Sequence, residues 1–261
     1  MNRTLDCMNS WENSHNAEKR RRGLEIICVI IRYIHSTRTV VDRESLYKKL
    51  DNLFHLDIQN ESCLRPTEPV VIIANHPKLV PELLVSNQIM GWVGHPERFL
   101  QHKDSHAVAN IIITFVISRI CRELEVENHI TIGRSFGVDN LAESMSCSMI
   151  GNRVGLKEVY RSLDTKPDHS ICIFPEGGVK NLNVFDRGYL AIALRQNIGV
   201  IIPTVWNQLL LPDGEFRVVI HDPIKLQADL NSKKTRSLNT IIHQKMQQMA
   251  VDAGVYSDLN H

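Results

Sequence analysis

Apolar positions along this chain follow two rhythms, a spacing of three to four residues and short unbroken runs. Leu24, Ile27, Cys28, Ile31 and Ile34 have the first spacing and predict an amphipathic helix near the N-terminus. Leu46–Leu56, Val108–Leu124, Leu156–Leu163, Tyr189–Gln196 and Leu238–Val251 are read as further helices, the last of them closing the chain. Val80–Trp92 predicts another, with Pro81 in its first turn, where a missing N–H costs nothing. Val70–Ala74 is a short, β-branched run of the kind that forms a buried strand, and Ile171–Phe174 is the second clear strand. Val200–Ile202 and Phe216–Ile220 follow, with Ile130–Ile132, Met149-Ile150 and Phe99-Leu100 as weaker candidates. Strands alternating with helices predict α/β architecture: a single layered domain with a largely parallel central sheet flanked by helices. Residues 1–18 are expected to be disordered, 19–60 to form a basic, amphipathic helical region, and 61–261 to form the α/β domain.

Composition narrows the partners. The chain has 261 residues, enough for one large domain or two small ones, and the absence of a flexible linker favours one. Thirty Lys and Arg against 29 Asp and Glu leave a net charge of +1, so no global field attracts nucleic acid. Basicity is local, densest at Lys19-Arg20-Arg21-Arg22. Six scattered cysteines without a CxxC pair suit a reducing compartment and imply a cytoplasmic protein. No membrane span is expected: Leu24–Ile34 is too short, Glu25 and Arg32 interrupt it, and a span needs about 20 mostly apolar residues. No signal peptide is expected, because no small-residue cleavage site follows the apolar stretch. The N-terminal helix then has two readings. With its basic flank it can lie on an anionic membrane, at about 1 kcal/mol per surface Lys or Arg, or it can be an ordinary helix packed on the core.

Candidate chemistry sits in two polar turns, each following a strand. Val70–Ala74 leads into Asn75-His76-Pro77, and Ile171–Phe174 leads into Pro175-Glu176-Gly177-Gly178. In α/β proteins ligands bind at the carboxyl ends of strands, so two such turns can share one site. His76 can move protons near neutral pH, whereas a lone histidine is more commonly satisfied by a backbone carbonyl. Pro-Glu-Gly-Gly offers a carboxylate beside glycines that admit an anion, and is equally good turn chemistry without function. His102, Asp104 and His106 look like metal ligands, but on a helix His102 and His106 would need firm support from a third ligand. None is evident, so no metal is expected, and no bound cofactor either. Gly-x-Ser-x-Gly, a P-loop and a dinucleotide glycine fingerprint are absent from the sequence.

Taken in order, Asn75-His76, Phe174-Pro175-Glu176-Gly177, Phe185-x-x-Gly188 and Ile201-Ile202-Pro203 resemble the glycerolipid acyltransferase superfamily, which includes glycerol-3-phosphate and lysophosphatidic-acid acyltransferases. The resemblance runs from about Val70 to Val205. Met149-Ile150-Gly151-Asn152-Arg153 resembles the arginine-bearing block that precedes Phe-Pro-Glu-Gly in that family, with Arg134 the competing arginine. The resemblance implies acyl transfer from acyl-CoA or an acyl-carrier protein to a hydroxyl of a lysophospholipid or related acceptor, with His76 as general base. It implies acceptor or phosphate binding by Asn75, Lys103, Arg153, Glu176, Gly177 and Gly178, and a cytoplasmic protein lying peripherally on the membrane.

Two departures stand out. The family's His-x4-Asp motif places an aspartate where this chain has Pro81, beside Glu82. A hydrolytic triad without its correct carboxylate loses about 10⁴ in rate, which scales the difference. Glu82 could orient His76 only if the turn before its helix is altered, since one residue along a helix rotates a side chain by about 100°. In the second motif Gly178-Val179-Lys180 stands where Thr or Ser and then Arg are common, which passes anion binding to Lys180 or Arg187. A catalytically silent lipid-binding protein on the same fold is the alternative reading.

Overall fold

The computed structural model describes residues 17–34, 36, 39–60, 63–76, 78–79, 102–132, 147–150, 160–161, 163–176, 182, 185–206, 209–210, 215–226 and 232–254. Two helices come first, α1 (Ala17–Ile34) and α2 (Val40–Leu53), followed by strands β1 (His55–Asn60), β2 (Val71–Ala74) and β3 (Lys78–Leu79). Helix α3 (His102–Glu123) precedes β4 (His129–Ile132), β5 (Cys147–Ile150) and β6 (Ser170–Ile173). Then come α4 (Gly188–Arg195), β7 (Val200–Trp206), β8 (Leu209–Leu210), β9 (Glu215–Ile220), β10 (Ile224–Lys225) and α5 (Ser232–Asp252).

The central sheet runs β1-β9-β7-β2-β6-β4-β5, with β10 also pairing β7. β2 pairs in parallel with both β6 and β7, and the β6–β4, β4–β5 and β1–β9 pairs are parallel too. β7–β9 and β7–β10 are antiparallel, so the largely parallel sheet is mixed at one side. β3 and β8 form a separate two-stranded parallel pair.

Why β2 is apolar at every position follows from the layers. Successive strand side chains point to opposite faces. Ile72 and Ala74 join the core formed with α1, α2 and α3, whereas Val71 and Ile73 join the core formed with α4 and α5. Both faces are covered, so all four residues are buried.

Two points about the N-terminal region bear on its expected form. Its last segment is a strand: β1 joins the main sheet beside β9, with its residues alternating between exposed and half-buried. The expected Leu46–Leu56 helix therefore ends at Leu53, and Leu56 and Ile58 belong to an edge strand whose alternate residues face solvent. α2 begins earlier, at a capping box in which the Thr39 hydroxyl accepts from Asp42 N–H and the Asp42 carboxylate accepts from Thr39 N–H.

The second point concerns the apolar stripe of α1. Ile27 and Ile34 are buried, as are Ile26 and Ile30, in the same core as Leu46, Leu50, Phe115 and Phe216. Cys28 and Ile31 are half-buried, and the Leu24 side chain lies outside the described residues. Ile27, Ile31 and Ile34 of the stripe thus pack on the protein itself, as in the second of the two readings of this helix. Arg22 adds a tie to the sheet by donating to Glu215 at 2.8 Å and bonding the His55 ring. Ile30→Ala is expected to cost about 2–5 kcal/mol, because the site is fully enclosed and a cavity would remain. Urea unfolding measures it; a loss under about 0.5 kcal/mol would mean that α1 is only loosely docked.

Two buried thiols, Cys121 on α3 and Cys172 on β6, lie with their sulfurs 3.8 Å apart. Their contact and their burial push the Cys172 thiol well above its usual pKa, so it is held as a neutral core group. No helix among the described residues is long and apolar enough to cross a membrane.

Candidate active site

Three neighbouring parallel strands, β6, β2 and β7, end at one edge of the sheet. Asn75 and His76 follow β2, Phe174, Pro175 and Glu176 follow β6, and Trp206 is the last residue of β7. Parallel pairing thereby brings together turns that are 100 and 131 residues apart in sequence.

Asn75 is completely buried, and its side chain acts as one more rung of the ladder. The amide nitrogen donates to the Trp206 carbonyl at 3.0 Å, and the amide oxygen accepts from Trp206 N–H at 2.9 Å. The Trp206 indole N–H donates back to the Asn75 carbonyl. Both polar ends of the asparagine side chain are engaged by the main chain of β7, so the chain is braced where it leaves β2.

Glu176 is 1% exposed, an unusual setting for a carboxylate. One oxygen accepts from the His76 main-chain N–H at 2.7 Å, and the other from the Leu182 main-chain N–H at 2.8 Å. Such charge-assisted bonds are the strong kind, and they compensate the burial of the charge. Glu176 therefore clamps the turn after β2 to the loop after β6. The Pro175 carbonyl accepts from Asp186 N–H at 2.7 Å, closing the far side of that loop.

His76 is half-buried. Its ring meets Phe174 with centroids 5.1 Å apart at 59°, and Phe174 in turn stacks on Trp206 at 5.8 Å and 21°. The histidine is thus held from its backbone by a carboxylate and flanked on its ring by an aromatic wall. Tilted aromatic pairs of this kind favour a defined ring orientation over a freely turning one.

Of the residues singled out from sequence, the structure brings Asn75, His76 and Glu176 into one cluster. Arg187 lies at the start of α4 with an exposed side chain, and its carbonyl accepts from Leu190 and Ala191. Lys103 falls in the first turn of α3, with its side chain outside the described residues. Pro81, Glu82, Arg153, Gly177, Gly178 and Lys180 lie outside them too, as do the expected helix at Val80–Trp92 and the strand candidate at Phe99-Leu100.

The part of the cluster that sequence reasoning missed is its frame: Trp206, Leu182 and three residues of α5. Asn239 donates to the Phe185 carbonyl at 3.1 Å, Gln247 donates to the Leu182 carbonyl at 3.0 Å, and the His243 ring bonds the same carbonyl. A repeat of polar residues every fourth position in the closing helix was the available signal.

Comparison with family models and with curated proteins returns no match. Among solved structures, the chain is similar to the crystal structure of the 1-acyl-sn-glycerophosphate (LPA) acyltransferase PlsC from Thermotoga maritima. The two are 14% identical, with a TM-score of 0.46, over 85% of this chain and 87% of that one.

Proposed function

We propose that this protein is an acyltransferase that moves a fatty acyl group from an acyl thioester, acyl-CoA or acyl-carrier protein, to a hydroxyl of a lysophospholipid or related acceptor. The observation that carries this reading is the Glu176–His76 hydrogen bond. It joins the two turns whose order along the chain resembles the glycerolipid acyltransferases, and it does so where an α/β sheet offers a ligand site.

In the proposed reaction His76 takes the acceptor hydroxyl proton as its oxygen attacks the thioester carbonyl. The tetrahedral intermediate then collapses, the C–S bond breaks, and the imidazolium returns its proton to the departing thiolate. Glu176 and Asn75 act by holding the histidine turn in place, since their polar atoms already bond main-chain groups. Glu82 is proposed to orient the imidazole in place of the missing aspartate, and Arg153, Lys180, Arg187, Lys103 and the Gly177-Gly178 backbone to meet the acceptor's anionic group.

The test is to incubate purified protein with labelled acyl-CoA or acyl-carrier protein and a panel of lysophospholipids. Transfer to at least one acceptor is expected. Absence of transfer to every acceptor from either donor, alongside retained binding of lipid, would establish the silent lipid-binding reading instead.

The protein is further proposed to meet its lipid substrate peripherally, at a membrane surface. With the described apolar residues of α1 packed inward and Arg22 tied to Glu215, attraction there rests on the basic residues Lys19, Arg20 and Arg21, of which Arg21 is exposed. Sedimentation with anionic vesicles is expected to fall steeply as ionic strength rises. Salt-independent binding would point to an apolar contact elsewhere.

A further inference from the structure

We infer that α5 positions the histidine turn at a distance, with His243 and Gln247 as positioning residues that act through Leu182 and Glu176. This rests on the acyltransferase reading for its catalytic consequence, but the mechanical coupling stands on contacts alone.

Leu182 is the pivot. It is fully buried and adopts a left-handed backbone, φ +55°, which leucine rarely visits. Such a conformation persists where the surroundings over-determine it. Here they do so from both ends of the residue. Its N–H donates to Glu176, and its carbonyl accepts from Gln247 and from the His243 ring.

The two donors to that carbonyl are spaced i, i+4 on α5, so they project from one face of the helix. Asn239 extends the same stripe by one turn and holds the Phe185 carbonyl. The Phe185 ring lies parallel to the His243 ring, with centroids 5.0 Å apart at 7°. A second face of α5, carrying Ile242, Met246, Met249 and Ala250, is buried in the core beneath the sheet. The helix is therefore anchored by one face and holds the Leu182 and Phe185 carbonyls with another. From there the path is short: Leu182 N–H to Glu176, and Glu176 to the His76 N–H.

Loss of the α5 donors would release the Leu182 carbonyl, relax its left-handed backbone and turn its N–H away from Glu176. The carboxylate would then be held at only one of these two bonds, and the His76 turn would open more readily. The coupling makes no demand on substrate, so it is measurable in the resting protein.

The experiment compares the His243→Phe/Gln247→Leu double variant with the wild type by amide hydrogen exchange and by steady-state kinetics. Phenylalanine keeps a flat ring against Phe185, and leucine keeps volume, while both remove the donors. The His76 amide is expected to exchange about tenfold faster, as fits the loss of neutral hydrogen bonds, with amides inside β2 unchanged. In the acyl-transfer assay kcat is expected to fall about tenfold to a hundredfold with the thioester KM unchanged. His243→Gln, alongside native Gln247, keeps an N–H donor and should restore most of both readouts.

Unchanged His76 exchange in the double variant, or exchange that rises equally throughout β2, overturns the inference. If the double variant does not fold, Gln247→Leu alone carries the same comparison. If the wild type transfers no acyl group, the acyltransferase reading fails while the exchange measurement still decides the coupling.

Discussion

His76→Ala is expected to lower acyl transfer by about 10²–10⁴-fold, the range that a positioned general base contributes. The protein should remain folded. The histidine turn is held by its main-chain N–H, which donates to Glu176, and alanine keeps that group. What alanine removes is the ring, including its tilted contact with Phe174, a contact of roughly 0.5–1.5 kcal/mol. Activity and stability should thus separate, with turnover nearly abolished and the melting temperature lowered by a few degrees at most. Turnover in His76→Ala within a factor of about three of wild type would remove His76 from the base role.

Glu176→Ala should show the opposite pattern, a large loss of stability that brings activity down with it. Truncation leaves the His76 and Leu182 N–H groups without the carboxylate at a site almost closed to water. An unsatisfied buried donor costs about 1–3 kcal/mol, so about 2–6 kcal/mol is at stake. For a domain this size that corresponds to a melting temperature lower by roughly 5–20 °C. Glu176→Gln is the informative companion. Its carbonyl oxygen can accept one of the two bonds, but its NH₂ then faces the other N–H, donor against donor. It should fall between wild type and Glu176→Ala. Scanning calorimetry with assays at low temperature distinguishes the two effects. A normal melting temperature with lost activity would return Glu176 to a role in contacting substrate.

What was legible in the sequence, and what was not, follows from how each feature is made. β2 and β6 could be read because strands covered on both faces must be apolar throughout. β1 was missed because an edge strand with one open side needs only Leu56 and Ile58 among polar residues, and it follows a helix almost without a break. The N-terminal stripe predicted a helix correctly, but apolar spacing is the same whether the face meets lipid or core, so only packing could assign it. The antiparallel pairing of β7 and β9 left no mark in apolar spacing, which carries no strand direction.

The site divides along the same line. His76 and Glu176 were identifiable as a pair because side-chain chemistry and motif order point to them. The engagement of Asn75 and Glu176 with main-chain N–H and C=O groups was not, because any residue can supply those partners. The frame around the histidine is consequently almost silent in the sequence. Trp206 offers an end-of-strand aromatic, and α5 offers only a polar repeat beside its buried face.

The long sequence separations within the cluster also constrain how the protein comes into being during synthesis. The Asn75 side chain finds its partners only once residue 206 has been made, and the Leu182 carbonyl only once residues 243 and 247 have. A ribosome-bound chain that has completed β2 and β6 therefore has its histidine but not yet the β7 and α5 partners that brace the site. A chain interrupted before residue 247 thus lacks the full set of contacts that brace the site.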